Sequence, residues 1–161
     1  PAFDEVARLS AAKAAAVDGT VVVAADTVVV LDGRVLGKPR DAAEAAEMLR
    51  ALSGRAHQVM TGLTVRRGDF VQTDTVVTDV HFRPLGAAEI AAYVATGEPM
   101  DKAGAYGIQG LASVFVDRLA GDYYNVMGLP LCRLCRMLRA AGVAVLGQAG
   151  DEAVETEVVR R

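Results

Sequence analysis

The chain has no apolar run long enough to cross a membrane, and it contains very little cysteine. A transmembrane helix needs about 20 consecutive apolar residues, and the longest candidate, residues 20–31, is interrupted by Asp26. Two cysteines, Cys132 and Cys135, are too few for a disulfide framework. Because scarce cysteine favours a reducing compartment, we expect a soluble, cytoplasmic protein with no membrane partner.

An excess of positive charge is also missing. The formal net charge is -3 over 161 residues, whereas proteins that bind nucleic acids usually carry a clear basic excess. We therefore expect no nucleic-acid partner. A small anionic ligand is still compatible with this charge, because a few cations in a cleft outweigh the global sign. Hydrophobic residues make up 52% of the chain, which is typical of one globular domain with a core.

Hydrophobic periodicity and turn residues predict an α/β fold, a mixed β-sheet with flanking helices. The predicted helices cover residues 4–17, 41–52, 87–96 and 131–140, and the predicted strands cover residues 20–31, 34–36, 58–66, 70–82, 112–119 and 122–127. Asp32-Gly33 predicts a type I′ turn, and Asp41 with Glu44 resembles a capping box. We expect residues 148–161 to form a flexible tail, because they contain few apolar residues.

Asp26 lies in the middle of an apolar, β-branched strand. An ionised carboxylate is costly to bury there unless a partner compensates its charge. In one interpretation Asp26 caps a neighbouring turn or accepts from backbone amides. In the other, which we favour, it faces a cleft at a strand break and either holds a metal ion or activates water.

Lysine is rare among the cationic residues. Of 17 lysines and arginines, only Lys13, Lys38 and Lys102 are lysine. Because all the other cationic residues are arginine, the three lysines suggest a special role, such as contacts to phosphate. The spacing of Lys13 from Val6, Leu9 and Val17 predicts that it lies on the buried stripe of the first helix. The alternative is that Lys13 extends along that face to solvent and that the two loop lysines are simply hydrated.

Other reactive side chains receive a structural interpretation. Cys132 and Cys135 have no second cysteine or histidine pair with which to bind zinc, and we treat His57 and His81 as ordinary strand residues. The arginines of the last helix are interpreted as its solvated face; they are Arg133, Arg136 and Arg139.

Several motifs, in order along the chain, resemble those of the Maf family. They are Ala-Asp-Thr-Val-Val at 25–29, Gly-Lys-Pro at 37–39, Leu-Ser-Gly at 52–54, Tyr-Val at 93–94, Gly-Glu-Pro at 97–99, Asp-Lys-Ala-Gly-Ala-Tyr-Gly-Ile-Gln-Gly at 101–110 and Tyr-Tyr-Asn-Val-Met-Gly-Leu-Pro at 123–130. The resemblance implies a nucleoside triphosphate pyrophosphatase that depends on a divalent cation, Mg²⁺ or Mn²⁺. It also implies a fold similar to that of inosine triphosphate pyrophosphatases, and a homodimer as the expected assembly.

The resemblance also implies roles for individual residues. Asp26 matches the family's catalytic carboxylate, which is described as a proton acceptor. Asp26 could act as the base, as a metal ligand or as both. Asp101 is a second candidate metal ligand. Lys13, Lys38 and Lys102 match positions associated with the cleft, where they would neutralise a triphosphate.

Thr27 and Gln109 match family positions tied to substrate choice. This pair resembles the branch that acts on dTTP, UTP and related modified pyrimidine triphosphates, whereas the branch acting on 7-methyl-GTP has Gln and Glu there. The chemistry agrees, because a Gln amide offers both an acceptor and donors to the N3–H and a neighbouring carbonyl of uracil or thymine.

The sequence departs from the family pattern at its start. The family opens with a strand and a Ser-x-Ser-Pro-Arg-Arg turn, followed by a Glu in the site, and this sequence begins after them. We expect a Maf-like domain over residues 1–147 that lacks its N-terminal strand and helix. Such a chain alone would be weakly active or inactive, and a longer protein containing it would have normal activity. The alternative function is a regulatory, nucleotide-sensing protein linked to septum formation that binds without turnover.

Overall fold

A five-stranded antiparallel sheet forms the centre of the computed structural model, which describes residues 1–149. Its strands are β1 (Val21–Leu31), β2 (Arg34–Leu36), β3 (Ala56–Arg67), β4 (Phe70–Phe82) and β5 (Val116–Ala120), in the order β2-β1-β3-β4-β5. The helices are α1 (Ala2–Ala15), α2 (Ala42–Leu52), α3 (Ala87–Ala95), α4 (Tyr123–Val126) and α5 (Leu131–Ala140). The predicted α/β class with flanking helices is confirmed. None of the helices in the described part of the chain is long and apolar enough to span a membrane.

Local signals set the first half of this fold. Asp32 and Gly33 both adopt positive φ, 50° and 76°, as a type I′ turn requires, and they bring Val35 opposite Val30. The Asp41 side chain accepts a hydrogen bond from the backbone N–H of Glu44 and so caps α2. The Glu44 carboxylate, however, accepts from the backbone N–H of Arg40, so the predicted capping box is only half formed.

One face of the sheet carries two separate apolar clusters. In the larger cluster, residues such as Val29, Val59 and Phe82 pack against α2, α3 and the segment that precedes β5. In the smaller cluster, Leu63 and Val65 pack against α5. Alternate residues of a strand share a face, so Thr61 of β3 lies on this same face, between the two clusters. The sheet therefore has a polar gap between two apolar regions.

The opposite face packs closely against α1 at Gly62. A Cβ atom at Gly62 would lie 2.0 Å from the carbonyl oxygen of Val6, so any larger residue is excluded there. The buried positions of α1 are Val6, Ser10 and Ala14, and the Ser10 hydroxyl lies 2.9 Å from that of Thr64. The predicted stripe is right at Val6 and wrong at Leu9, Lys13 and Val17, because the close approach of the helix to the sheet places the small residues Ser10 and Ala14 at the contact.

The predicted strands at residues 112–119 and 122–127 are partly wrong. Leu111–Phe115 is a 3-10 helix, and only Val116–Ala120 is a strand. The second segment forms α4, because the Asp122 side chain accepts from the backbone N–H groups of Tyr124 and Asn125 and starts a helix. Two short 3-10 turns, Glu98–Asp101 and Ala103–Ala105, lie between α3 and the 3-10 helix Leu111–Phe115.

The last helix follows its prediction more closely. It spans Leu131–Ala140, with Pro130 as the residue before the first turn. Its arginines are not simply a solvated face, because Arg133 forms an ion pair of 3.0 Å with Asp74 on β4. Residues 150–161 of the predicted flexible tail lie outside the described residues.

Candidate active site

Asp26 lies on an open edge of the sheet. Strand β2 pairs with β1 only at Val29–Leu31, so the outer edge of β1 at residues 21–28 has no strand partner among residues 1–149. The Asp26 side chain is 18% exposed, and its Oδ1 lies 2.6 Å from Nζ of Lys13. The cost of burying this carboxylate is thus offset by an ammonium group rather than by a turn cap.

The Lys13 side chain reaches Asp26 from the flank of α1. It is 53% exposed and also donates to the carbonyl of Ala25 at 3.4 Å. Its stem therefore runs along the helix towards the strand edge rather than into the core. An exposed ammonium group held beside a carboxylate is free to exchange that partner for an incoming phosphate.

Thr27 points to the opposite face from Asp26, because neighbouring residues of a regular strand alternate. There it contributes to a cavity of about 300 Å³ in the gap between the two apolar clusters. The lining residues are Thr27, Val29, Val59, Lys102, Ala103, Tyr106, Gly107, Ile108, Gln109, Gly110, Val126, Met127 and Gly128. Asp26 and Thr27, to which the resemblance assigns catalysis and substrate choice, therefore lie on either side of one strand edge.

Lys38 and Lys102 lie in two loops that contact each other. The backbone N–H of Gly104 donates to the carbonyl of Gly37 at 3.1 Å, which joins the loops next to both lysines. Lys102 Nζ lies 2.8 Å from Oδ1 of Asp101. That hydrogen bond, with a smaller contribution from the charge of Lys38, holds the pKa of Asp101 below its ordinary value. A second carboxylate–ammonium pair therefore lies at the rim of the cavity.

The two carboxylates predicted as metal ligands belong to different pairs. Asp26 contacts Lys13 and Asp101 contacts Lys102, and within residues 1–149 no hydrogen bond or ion pair joins one pair to the other. Within that range no group of three or more His, Cys, Asp or Glu side chains is close enough to hold a metal ion. A protein-only metal cage is thus not formed by these residues.

Gln109 lines the cavity and belongs to a loop that Glu98 holds in place. One Glu98 carboxylate oxygen accepts from the backbone N–H of Leu111 and the other from the Tyr93 hydroxyl, each at 3.1 Å. A Cβ atom at Gly110 would lie 2.0 Å from the Glu98 carboxylate, so a larger residue there would displace this side chain from the loop. Sequence reasoning missed Glu98, although the glycine next to Gln109 was a signal that something packs against that loop.

The Gln109 amide itself is exposed, and no hydrogen bond from it is found within residues 1–149. Both its carbonyl and its NH₂ group are therefore available to a ligand. The loop backbone is fixed by Glu98, while the amide is free to rotate.

Thr27 belongs to a buried polar network that the sequence did not reveal. Its Oγ1 lies 2.8 Å from Oγ1 of Thr61, which lies 3.3 Å from the carbonyl of Asn125. Asn125 is fully buried, and the nitrogen of its NH₂ group lies 3.0–3.2 Å from three acceptors, the carbonyls of Val59 and Val76 and the hydroxyl of Thr78, which share its two protons. These bonds fix α4 over the polar gap and so set one wall of the cavity.

Tyr106 also lines the cavity, and its hydroxyl is hydrogen-bonded to the buried His57. The Tyr106 hydroxyl lies 2.5 Å from Nε2 of His57, and both rings make edge contacts with Phe82. Burial lowers the pKa of His57 to about 4, with a smaller effect from the charge of His81. His57 is therefore a neutral core residue at ordinary pH, consistent with its structural interpretation.

The chain is similar to known proteins over most of its length. A family model described as Maf-like protein matches residues 1–141. A dTTP/UTP pyrophosphatase of Anaeromyxobacter sp. (strain Fw109-5) is 57% identical over 147 residues, which cover 88% of this chain and 72% of the relative. Proteins of the same name from Symbiobacterium thermophilum and Thermococcus gammatolerans are 53% and 50% identical, covering 90% and 89% of this chain and 77% of each relative.

Proposed function

The chain belongs to the Maf family, and on that premise we propose that it is a nucleoside triphosphate pyrophosphatase. Its proposed substrates are dTTP, UTP and related modified pyrimidine triphosphates, which it cleaves to the monophosphate and pyrophosphate. The observation that carries this proposal is the Asp26–Lys13 pair at an open strand edge, directly beside a cavity that contains Thr27 and Gln109. The names of its relatives support the same reaction.

The substrate would cross the open edge of β1. Its base enters the cavity, whose volume of about 300 Å³ is at the lower end of the range for small-molecule sites. There the Gln109 amide and the Thr27 hydroxyl together meet the N3–H and a carbonyl of uracil or thymine. The triphosphate then lies near Lys102 and Lys38 at the rim and passes the edge to Lys13. This arrangement brings the α-phosphate to the Asp26 side of the strand.

The chemistry follows from replacing one partner of Asp26. When Lys13 transfers its hydrogen bond to a phosphate oxygen, the Asp26 carboxylate becomes available to accept a proton from water. The water oxygen bonds to the α-phosphorus in line with the bridging oxygen, and the bond from the α-phosphorus to that oxygen breaks. Pyrophosphate leaves with the bond's electron pair, and the lysine ammonium groups stabilise its charge.

We extend the proposal to a divalent cation, Mg²⁺ or Mn²⁺, for which Asp26 and Asp101 are the candidate protein ligands, each from its own carboxylate–ammonium pair. Mg²⁺ is commonly held by one or two carboxylates together with substrate phosphates and water, rather than by an all-protein cage. The donor set fits that mode, because Lys13 contacts Oδ1 of Asp26 and leaves Oδ2 available. When bound, such an ion would neutralise triphosphate charge.

We also propose the remaining expectations from the sequence. They are a single domain over residues 1–147, a cytoplasmic location, a homodimer and no nucleic-acid partner. No contact among the described residues favours the regulatory sensor, which would bind nucleotide without turnover.

The test is release of pyrophosphate from a panel of dTTP, UTP, CTP, GTP and 7-methyl-GTP with Mg²⁺ or Mn²⁺. The chain should be assayed beside a version extended at its N terminus with the corresponding segment of the Anaeromyxobacter relative. We expect dTTP and UTP to be the best substrates, and Asp26→Asn to abolish turnover while Asp69→Asn, in the exposed β3–β4 turn, does not. Tight binding without pyrophosphate release from either version would favour the sensor instead.

A further inference from the structure

The hydroxyl groups of Thr27 and Thr61 form a chain that ends on backbone carbonyls. Thr27 Oγ1 lies 2.8 Å from Thr61 Oγ1 and 3.5 Å from the carbonyl oxygen of Gly128. Thr61 Oγ1 lies 3.3 Å from the carbonyl oxygen of Asn125. Thr61 is fully buried, whereas Thr27 borders the cavity. Only Thr27 is therefore in a position to contact a ligand.

Counting protons shows how this chain is polarised. Each hydroxyl has one proton, and the two carbonyls only accept. In one arrangement Thr27 donates to Thr61, which donates to Asn125. In the other, Thr61 donates to Thr27, which donates to Gly128. The Thr27 proton is used inside the protein in both cases, so only a lone pair of its oxygen faces the cavity.

The first arrangement has the shorter bonds, and its end point is rigid. The Asn125 carbonyl also accepts from the backbone N–H of Gly128 at 3.0 Å, and the Asn125 side chain is anchored to β3 and β4. To donate to a ligand, Thr27 would have to accept from Thr61 instead of donating to it. Thr61 would then lose its own hydrogen bond to the Asn125 carbonyl. A hydrogen bond lost in a buried site carries a substantial cost.

Gln109 does not provide the same discrimination. Its free amide presents an acceptor or a donor to the base after a simple rotation. It therefore matches a carbonyl of uracil and also the amino group that cytosine has in its place. A choice between those two bases requires a group whose polarity is fixed, and Thr27 is such a group.

We propose that Thr61 is a positioning residue that keeps Thr27 a hydrogen-bond acceptor and thereby selects uracil and thymine against cytosine. This inference rests on the proposed function only in assigning the cavity to the base. Uracil and thymine offer an N–H to the Thr27 lone pair. Cytosine brings its own lone pair to that position, and two acceptors repel each other.

The test compares Thr61→Val with Thr61→Ser in the full chain. Valine has nearly the shape of threonine without the hydroxyl, and serine retains the hydroxyl. Calorimetry with Mg²⁺ measures the dissociation constants of the α,β-imido analogues of UTP and CTP, which the proposed reaction does not cleave. We expect the wild-type chain and Thr61→Ser to prefer the UTP analogue. Thr61→Val leaves the Thr27 proton only the long 3.5 Å contact to the carbonyl of Gly128, so Thr27 can donate to a ligand. The preference should then fall about tenfold, as expected for one specific polar contact.

Two results would overturn the inference. One is a wild-type chain that binds both analogues equally or binds neither, and the other is a Thr61→Val chain that loses affinity for both in proportion. If Thr61→Val does not fold, Thr27→Val tests the same contact by removing the acceptor, and an unchanged preference in that variant would also refute it. Because the readout is binding, a chain with the predicted preference but no turnover contradicts the proposed function and leaves this inference intact.

Discussion

Replacing Gly62 with alanine tests the contact that positions Lys13. A Cβ atom there would lie 2.0 Å from the carbonyl oxygen of Val6, 2.2 Å from its carbon and 2.6 Å from the backbone nitrogen of Ala7. All three atoms belong to the backbone of α1, so no side-chain rotation relieves the clash. Since ordinary non-bonded contacts lie at about 3.5 Å, α1 must move away from β3 by roughly 1 Å or more.

Such a displacement has both a stability cost and a functional cost. Overpacking typically costs about 1–3 kcal/mol and occasionally more, and a backbone clash belongs at the upper end. For a domain of this size about 3 kcal/mol corresponds to a fall in Tm of roughly 6–12 °C. The same helix carries Lys13, so its pair with Asp26, now 2.6 Å, should lengthen and nucleotide turnover should fall.

Urea unfolding followed by circular dichroism measures this cost, with Gly86→Ala as the matched control. A Cβ atom at Gly86 has nothing within 4 Å and the backbone φ is -79°, so the only expected cost is that of an alanine at the N-cap of α3, about 1 kcal/mol in the free energy of unfolding. If Gly62→Ala and Gly86→Ala unfold at the same urea concentration, the close packing of α1 on Gly62 is refuted.

Three further predictions concern the site and the core beneath it. Asp26→Asn should lower kcat for UTP by at least about 100-fold, the lower end for loss of a general base, with an unchanged Tm; a variant with normal kcat would contradict the role of Asp26. Glu98→Ala should raise KM for UTP and leave the UTP preference in place, because the Gln109 loop loses its anchor; steady-state kinetics that match wild type would show that the loop does not need Glu98. The folded-state pKa of His57, about 4, lies below its unfolded value of 6.5, so the unfolded chain gains a proton first and stability should fall as pH drops from 6.5 towards 4, by up to about 3 kcal/mol. His57→Phe should lose that part of the pH dependence in urea titrations, and identical pH profiles for the two proteins would disprove the buried neutral state.

Elements with local signals were predictable from the sequence, and elements set by distant contacts were not. The β1–β2 hairpin and the start of α2 follow from Asp32-Gly33 and from Asp41, which act on their immediate neighbours. The buried face of α1 depends on Gly62, which is remote in sequence. The sequence of the α4 segment predicts a strand. Its helical form depends on the Asp122 cap and on the hydrogen bonds of the buried Asn125 amide.

The same distinction applies to the site. Scarcity of lysine singled out Lys13, Lys38 and Lys102, and an isolated charge in an apolar strand singled out Asp26. Nothing local distinguishes Thr61 from any other threonine in a β-strand, because its significance comes from what lies across from it. Alternation along β1 implies that Asp26 and Thr27 face opposite sides of the sheet. That these two sides meet at an open edge depends on the strand order, which the sequence does not show.

Hydrolysis of UTP in H₂¹⁸O, with the products analysed by mass spectrometry, tests the central claim most directly. If Asp26 directs water to the α-phosphorus, UMP will carry one ¹⁸O atom and pyrophosphate will carry none. Release of unlabelled UMP with labelled pyrophosphate, or formation of UDP and phosphate, would contradict the account.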